Sequence, residues 1–162
     1  MRIREAVLAD IPLIAAFIRE LADYERLLDE VTMTEQRLAS SLFGERRYAE
    51  AVIAEDVDHQ PLGFALFFHN FSTFLGLPGM YLEDLYVRPA RRGSGVGRAL
   101  LRHVARVALE RGCGRLEWSV LEWNQPAISF YMGLGARSSS EWTGYRLHGK
   151  ALERLAEESE QG

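Results

Sequence analysis

The residues best equipped for chemistry lie between Tyr81 and Arg98. Tyr81-Leu82-Glu83-Asp84-Leu85-Tyr86-Val87 has the composition of a strand and carries two adjacent carboxylates. It runs through Arg88 and Pro89 into Arg91-Arg92-Gly93-Ser94-Gly95-Val96-Gly97-Arg98, a turn with three alternate glycines that opens a helix. Glycines there let backbone N–H groups approach an anion closely, and a helix N-terminus adds partial positive charge. Arg92 and Arg98 flank the turn as phosphate partners. A plain strand–helix connection would also use glycines. Two better-known phosphate loops are excluded: position 98 is Arg where a dinucleotide fingerprint needs glycine, and no Gly-Lys-Ser/Thr follows. What remains is an Arg-x-x-Gly-x-Gly cradle for a pyrophosphate.

Glu83 and Asp84 are neighbours on a strand, so their side chains are expected on opposite faces. A second chemistry-bearing segment is Glu122-Trp123-Asn124-Gln125-Pro126-Ala127-Ile128-Ser129-Phe130-Tyr131. Asn124 and Tyr131 are seven residues apart, two helical turns, and can point the same way. In isolation Phe130 and Tyr131 read as core aromatics. Cys113 sits between two glycines at a helix end with no histidine close in sequence, and reads as structural. His59, His69, His103 and His148 are scattered without metal-ligand spacing, so no metal site is expected. Trp142 and Tyr145 read as packing or dimer residues.

The elements that must position these groups follow from periodicity and punctuation. The opening MRIREAV reads as a strand. Asp10 then reads as the N-cap of a helix to about Leu28, with Ile11, Ile14, Ile18 and Leu21 on one face. Thr32 and Glu35 form a capping box for a short helix through Leu42, ending near Gly44. Tyr48–Glu55 and Leu62–Phe71 make a hairpin, Phe71–Gly79 a loop, and Met80–Val87 another strand. A helix follows from about Gly95 to Arg111, then a short strand Leu116–Val120 and a helix Pro126–Leu134. A weaker strand pair around Ala136 and Trp142–Leu147 and a helical, acidic tail from Lys150 complete the chain. The order predicts an α/β or α+β fold with a mixed sheet.

Length and composition bound the rest. The 162 residues point to a single domain, 1–162. With 48% apolar and 26% charged residues the chain is neither fibrous nor wholly disordered. One cysteine cannot form an internal bridge, which suggests a reducing cytoplasm. The N-terminus reads as neither signal nor transit peptide, and no run of about 18 apolar residues suggests a membrane span. The balance of 19 basic against 23 acidic residues, net −4, argues against bulk binding to nucleic acid or an anionic membrane.

The Arg-x-x-Gly-x-Gly turn after an acidic strand resembles the coenzyme A motif of the GNAT superfamily of N-acetyltransferases. Asn124, Ala127, Phe130, Tyr131, Gly135 and Ala136 match a second pattern of that family in the right order. Leu21-Ala22-Asp23-Tyr24-Glu25, Tyr81–Leu85 and Glu122-Trp123-Asn124 are similar to its diamine acetyltransferase branch, the spermidine/spermine and thialysine-acetylating enzymes. The likeness spans Arg2 to about Leu155.

That resemblance implies a central, mostly antiparallel, twisted mixed sheet flanked by helices. It implies direct acetyl transfer from acetyl-CoA, as co-substrate, to a primary amine of a small cationic substrate. Residues 92–98 (Arg92, Gly93, Ser94, Gly95, Val96, Gly97 and Arg98) would bind the cofactor, with Leu85, Tyr86 and Val87 along its arm and Asn124, Pro126 and Ala127 beside it. Tyr131 would be the general acid, since a phenol of ordinary pKa, about 10, stays protonated where a thiol of about 8.5 is released. Glu83 would take up the amine proton, and Tyr24, Glu25 and Asp84 would help bind the cation. Thr143 stands before Gly144-Tyr145 where polyamine-specific members carry an acid, with Glu141 two residues from it. This weakens a polyamine reading and leaves other primary amines open. Alternatives are a protein N-terminal or lysine acetyltransferase and a non-catalytic acetyl-CoA sensor. A homodimer is expected from the same branch.

Overall fold

The computed structural model describes residues 1–139 and 141–158, so the end of the acidic tail lies outside the described residues. The chain divides into two compact units, Met1–Leu121 and Glu122–Gly162.

The first unit is a five-stranded sheet in the order β1-β2-β3-β4-β5. The strands are β1 (Arg2–Glu5), β2 (Glu50–Glu55), β3 (Pro61–Ser72), β4 (Leu77–Val87) and β5 (Leu116–Glu117). Neighbours are antiparallel except β4 and β5, which are parallel. Between β1 and β2 come α1 (Ile11–Tyr24) and α2 (Glu35–Phe43), and between β4 and β5 comes α3 (Val96–Glu110). The sheet buries both faces. On one, Ile14 and Phe17 of α1 and Leu38 and Leu42 of α2 pack on Ile53, Phe64, Leu66 and Tyr86. Phe17 stacks on Phe64 with centroids 5.3 Å apart and planes 6° from parallel. The other face is covered by α3 through Val96, Leu100, Leu101 and Val104.

Several local expectations change. The first helix ends at Tyr24, not near Leu28, because Arg26 adopts a left-handed conformation, φ 61°. The Leu27 N–H donates to the Ala22 carbonyl (2.8 Å) and the Arg26 N–H to that of Asp23 (3.0 Å), a Schellman closure with arginine in the usual glycine position. Asp10 stands at the N-cap of α1 as expected, but its side chain makes no capping hydrogen bond to the helix. Its carboxylate accepts from the Val7 N–H (2.8 Å) and from the Arg4 guanidinium (2.7 and 2.9 Å). The cap of α2 is Thr34 instead of Thr32, its hydroxyl accepting from the Arg37 N–H at 3.1 Å. The expected loop at Phe71–Gly79 is a hairpin whose strands continue to Ser72 and from Leu77, leaving residues 73–76 as the turn. The strand expected over Leu116–Val120 is short, Leu116–Glu117.

The second unit carries α4 (Gln125–Met132) and α5 (Gly149–Glu157). Residues 136–139 and 142–148, expected as paired strands, have no regular structure. A strand needs a strand to pair with, and among the described residues these segments have none: Ala136 donates to Tyr131 and Trp142 to Ser139 instead. No helix among the described residues is long and apolar enough to cross a membrane.

Candidate active site

The carboxylate end of the site is built by an irregularity in β4. Leu82 pairs with Phe67 and Asp84 with Leu66, so Glu83 has no partner on β3. Leu85 pairs with Ala65, which shares a face with Phe67. Leu82 and Leu85, three residues apart, therefore share that face, and Glu83 is the extra residue of a β-bulge. Simple alternation does not hold across this pair. Asp84 joins Tyr86 on the α1 side, while Glu83 is exposed. Burial pushes the Asp84 carboxyl up to about 7, with Glu83 and Glu25 adding repulsion. Glu25 follows the end of α1, and burial raises its carboxyl above the ordinary value. Asp84 thus lies within electrostatic reach of both Glu83 and Glu25, and none of the three makes an ion pair among the described residues.

The same strand leads to an open edge. β5 pairs with β4 at Met80 and Tyr81, and beyond Tyr81 no strand among the described residues covers that side. The Arg88 N–H donates to Leu62 at 2.9 Å, so by alternation Tyr86 and Asp84 direct their backbone groups to β3. Leu85 and Val87 direct theirs to the open edge. Tyr86 contributes its ring to the core instead, 6.0 Å from Phe17. Its phenol is raised above the ordinary value by burial and by its hydrogen bond with Glu20.

Beyond Val87 the chain turns through Pro89–Arg91 and enters α3 at Gly95, the N-cap. Gly93 and Gly95 have φ of 80° and 84°, and a Cβ added at either would meet no atom within 4 Å. The left-handed backbone favours glycine there, and the space beside it is open to an approaching anion. The first N–H groups of α3, including Val96 and Gly97, have no carbonyl one turn earlier to bond. The residues therefore fit a pyrophosphate. Ser94 does so less freely, since its hydroxyl donates to the Arg91 carbonyl at 2.6 Å.

The arginines of this stretch differ in what they contact. Arg88 pairs with Glu20 (3.3 and 3.4 Å) and covers the Phe17 ring at 4.9 Å. Arg91 reaches Asp56 at 3.3 Å. Arg92 donates Nε to the Val87 carbonyl at 3.0 Å and lies over Tyr24. Arg98, exposed on the first turn of α3, makes no ion pair among the described residues.

In the second unit Asn124 is buried and caps α4, its side-chain oxygen accepting from the Ala127 N–H at 3.4 Å. Pro126 follows in the first turn, where a missing N–H is harmless. Tyr131 is half-buried on the last turn, its ring 5.4 Å from that of Phe130.

The sequence pattern of the Acetyltransferase (GNAT) family matches residues 15–136. The chain belongs to that family. It is an acetyltransferase, and its five-stranded mixed sheet flanked by helices is the family's fold. A thialysine N-epsilon-acetyltransferase of Sus scrofa is 39% identical over 164 residues, covering 95% of this chain and 96% of that protein. An L-ornithine N5-acetyltransferase of Arabidopsis thaliana is 33% identical, covering 95% and 87%. An integron cassette protein from the mobile metagenome of V. cholerae superposes with a TM-score of 0.79 at 31% identity, covering 97% of this chain and 98% of that one.

In this acetyltransferase the bulge and the arginine contacts are what sequence reasoning missed. A signal for the bulge exists: Leu82 and Leu85 are apolar at a spacing of three inside a strand. The arginine partners have no such signal, because Glu20 lies 68 residues from Arg88. Among the described residues there is no cluster of three or more potential metal ligands.

Proposed function

We propose that this acetyltransferase moves the acetyl group of acetyl-CoA directly to a primary amine on a small cationic substrate, a diamine or a thialysine-like amino acid. One observation carries the reading. A single strand presents clustered carboxylates at its bulge, an open backbone edge after it, and a glycine turn suited to pyrophosphate at its end. The relatives' names add thialysine and ornithine, both amino acids with a primary amine on the side chain.

Acetyl-CoA would supply the activated acetyl thioester. The amides of Gly93, Gly95, Val96 and Gly97 would hold its pyrophosphate, with Arg98 adding charge from the first turn of α3. The outward groups of Leu85 and Val87 would bond its amide-bearing arm. Asn124, Pro126 and Ala127 are the second unit's proposed contribution to cofactor binding. Glu25, Asp84 and the Tyr24 ring would attract the substrate cation, and Glu83, exposed at the bulge, would accept the proton leaving the amine. Tyr131 would donate a proton to the departing thiolate.

An amine panel with thiol release as readout tests this, comparing spermidine, short diamines, thialysine, ornithine and free amino acids. Transfer to free amines with a side-chain or terminal primary amine is expected. Transfer to peptides alone would establish the protein-acetylating alternative, and coenzyme A binding without transfer to any amine would establish the sensor. Tyr131→Phe is expected to lower kcat on the best amine about 100-fold or more with KM little changed. Unchanged turnover would remove the tyrosine from its role. Light scattering is expected to show two copies in solution.

A further inference from the structure

The face of the sheet that carries Asp84 continues past the bulge. Tyr81 lies opposite Phe68 and Asp84 opposite Leu66, so the bulge makes Tyr81 and Asp84 successive positions on one face. The core cluster under α1 and α2 reaches Leu66, and Phe68, Asn70 and Tyr81 lie beyond it. There the Phe68 and Tyr81 rings meet with centroids 5.3 Å apart, and the Tyr81 hydroxyl bonds that of Ser119 at 2.7 Å. Glu117 on β5 is the register partner of Tyr81.

The Glu117 carboxylate is held through one oxygen. Its Oε1 accepts from Asn70 Nδ2 at 3.3 Å and lies 2.8 Å from Arg115 Nε. Among the described residues its Oε2 accepts no hydrogen bond, and the terminal nitrogens of Arg115 donate none. Both side chains are open to solvent, at 44% for Arg115 and 37% for Glu117. Asn70 does not come to Glu117 freely. Its own Oδ1 lies over Gly79, 2.2 Å from where a Cβ there would stand, and is buried without a hydrogen-bond partner. Turning the amide over would only set that oxygen against the carboxylate. A buried acceptor without a partner opposes folding, and its retention points to a role for the carboxylate that Asn70 orients.

One carboxylate oxygen beside the free end of a guanidinium complements an ammonium and a carboxylate carried on a single carbon. From Asp84 to the Glu117 position is about 9–11 Å, three residues along β4 through the bulge and one strand across. An extended lysine-like side chain sets its terminal nitrogen about 6 Å from its α-carbon, and charged hydrogen bonds of about 2.8 Å at each end span the remainder.

We propose that Arg115 and Glu117 bind the α-amino-acid head of the substrate, with Asn70 as the residue that positions Glu117. Glu117 Oε2 accepts from the α-ammonium, and the terminal N–H groups of Arg115 donate to the α-carboxylate. The chain between crosses the Phe68–Tyr81 rings and brings the side-chain amine to the bulge. The proposal rests on the reading of the bulge carboxylates as amine-binding groups. It narrows the substrate from primary amines at large to α-amino acids with an amine on the side chain.

The test sets ornithine and thialysine each against the diamine left when its carboxylate is removed, with thiol release as readout. The ratio of kcat/KM for amino acid over diamine is expected to favour the amino acid in the unmodified protein. In Arg115→Gln that ratio is expected to fall about 10-fold or more, the size of one lost pair of charged hydrogen bonds, with KM for the amino acid carrying the change. Asn70→Ala is expected to raise that KM roughly threefold and to leave the kcat on the amino acid little changed. An unmoved KM, or a loss confined to kcat, removes Asn70 from its role. A fall of less than threefold in the ratio for Arg115→Gln overturns the proposal, whether both substrates persist or decline together. Should that variant fail to fold, the unmodified protein decides alone, since equal or better use of the diamine also overturns the proposal. Turnover of none of the four amines by the unmodified protein strikes the proposed function itself, and this inference with it.

Discussion

Two charged stretches sit side by side on β4 and its exit, and the fold treats them in opposite ways. The arginines at 88, 91 and 92 are engaged by the protein itself, through Glu20, Asp56, the Val87 carbonyl and the Tyr24 ring. The carboxylates at 25, 83 and 84 have no ion-pair partner among the described residues, and Asp84, which feels the other two, is pushed up to about 7 by burial first and by their charge. A charge matched by internal partners is scaffold. Like charges gathered without a counterion oppose folding, and their placement makes sense when an external cation completes them. The proposed cofactor end, by contrast, would rest mainly on backbone amides held by the glycine turn, with Arg98 adding charge.

The contrast can be broken from either side. The largest effect is expected at the acidic end: Glu83→Gln keeps the shape and removes the proposed proton acceptor, and kcat/KM with the best amine is expected to fall about 100-fold or more at neutral pH. A loss of less than threefold in steady-state assays would show that Glu83 is only a surface charge. Next comes Asp84→Asn, read by denaturant unfolding at several pH values. The folded Asp84 holds its proton to about pH 7, whereas the unfolded carboxyl releases it near 4. Between those values the native state binds more protons, so its stability falls as pH rises. The Asn variant lacks that slope, and at pH 8 it is expected to exceed the parent by on the order of 2–4 kcal/mol, with little difference near pH 4. Parallel stability curves would sink the idea of an unrelieved carboxylate cluster.

At the cofactor end Gly95→Ala forces a side chain into φ 84° at the start of α3. Thermal unfolding is expected to register a cost of about 1–2 kcal/mol, and calorimetry a weaker coenzyme A affinity. Retained affinity would move the cradle elsewhere. The smallest effect is expected from Glu20→Gln, which removes the partner of Arg88. Both side chains are about one-third exposed, at 35% and 36%, so solvent screening limits the loss to about 1 kcal/mol or less. A substantially larger loss in denaturant titrations would mean that the arginine scaffold carries more of the fold than its exposure suggests.

Much of the frame was legible because it is periodic. The apolar spacing of Ile11, Ile14 and Ile18 marks α1, and that of Leu100, Val104 and Val107 marks α3, which the structure places over Val96–Glu110. The glycine turn was legible because left-handed backbone favours glycine. The end of α1 was not, since Arg26 takes the left-handed position that a reader assigns to glycine. The strands expected around Ala136 and Trp142–Leu147 show the converse limit: residues can favour extended backbone, but pairing is a property of the partner. At the site the carboxylates could be named from sequence, while their grouping required the bulge and the long-range approach of Glu25. The partners of Arg91 and Arg92 could not be read either, because Asp56 and Tyr24 reach them from other elements of the fold.

The bulge at Glu83 carries one further consequence, for anyone who recombines this strand with that of a related enzyme. A bulge is a matter of residue count, so substitution cannot erase it, but a single deletion can. Removing Glu83 would let Leu82, Asp84 and Leu85 face Phe67, Leu66 and Ala65 in an uninterrupted ladder, so Asp84, Leu85, Tyr86 and Val87 would keep their faces while the strand lost its exposed carboxylate and its local irregularity. Chimeras joined before Tyr81 or after Val87 preserve the count, whereas those joined within it inherit the donor's.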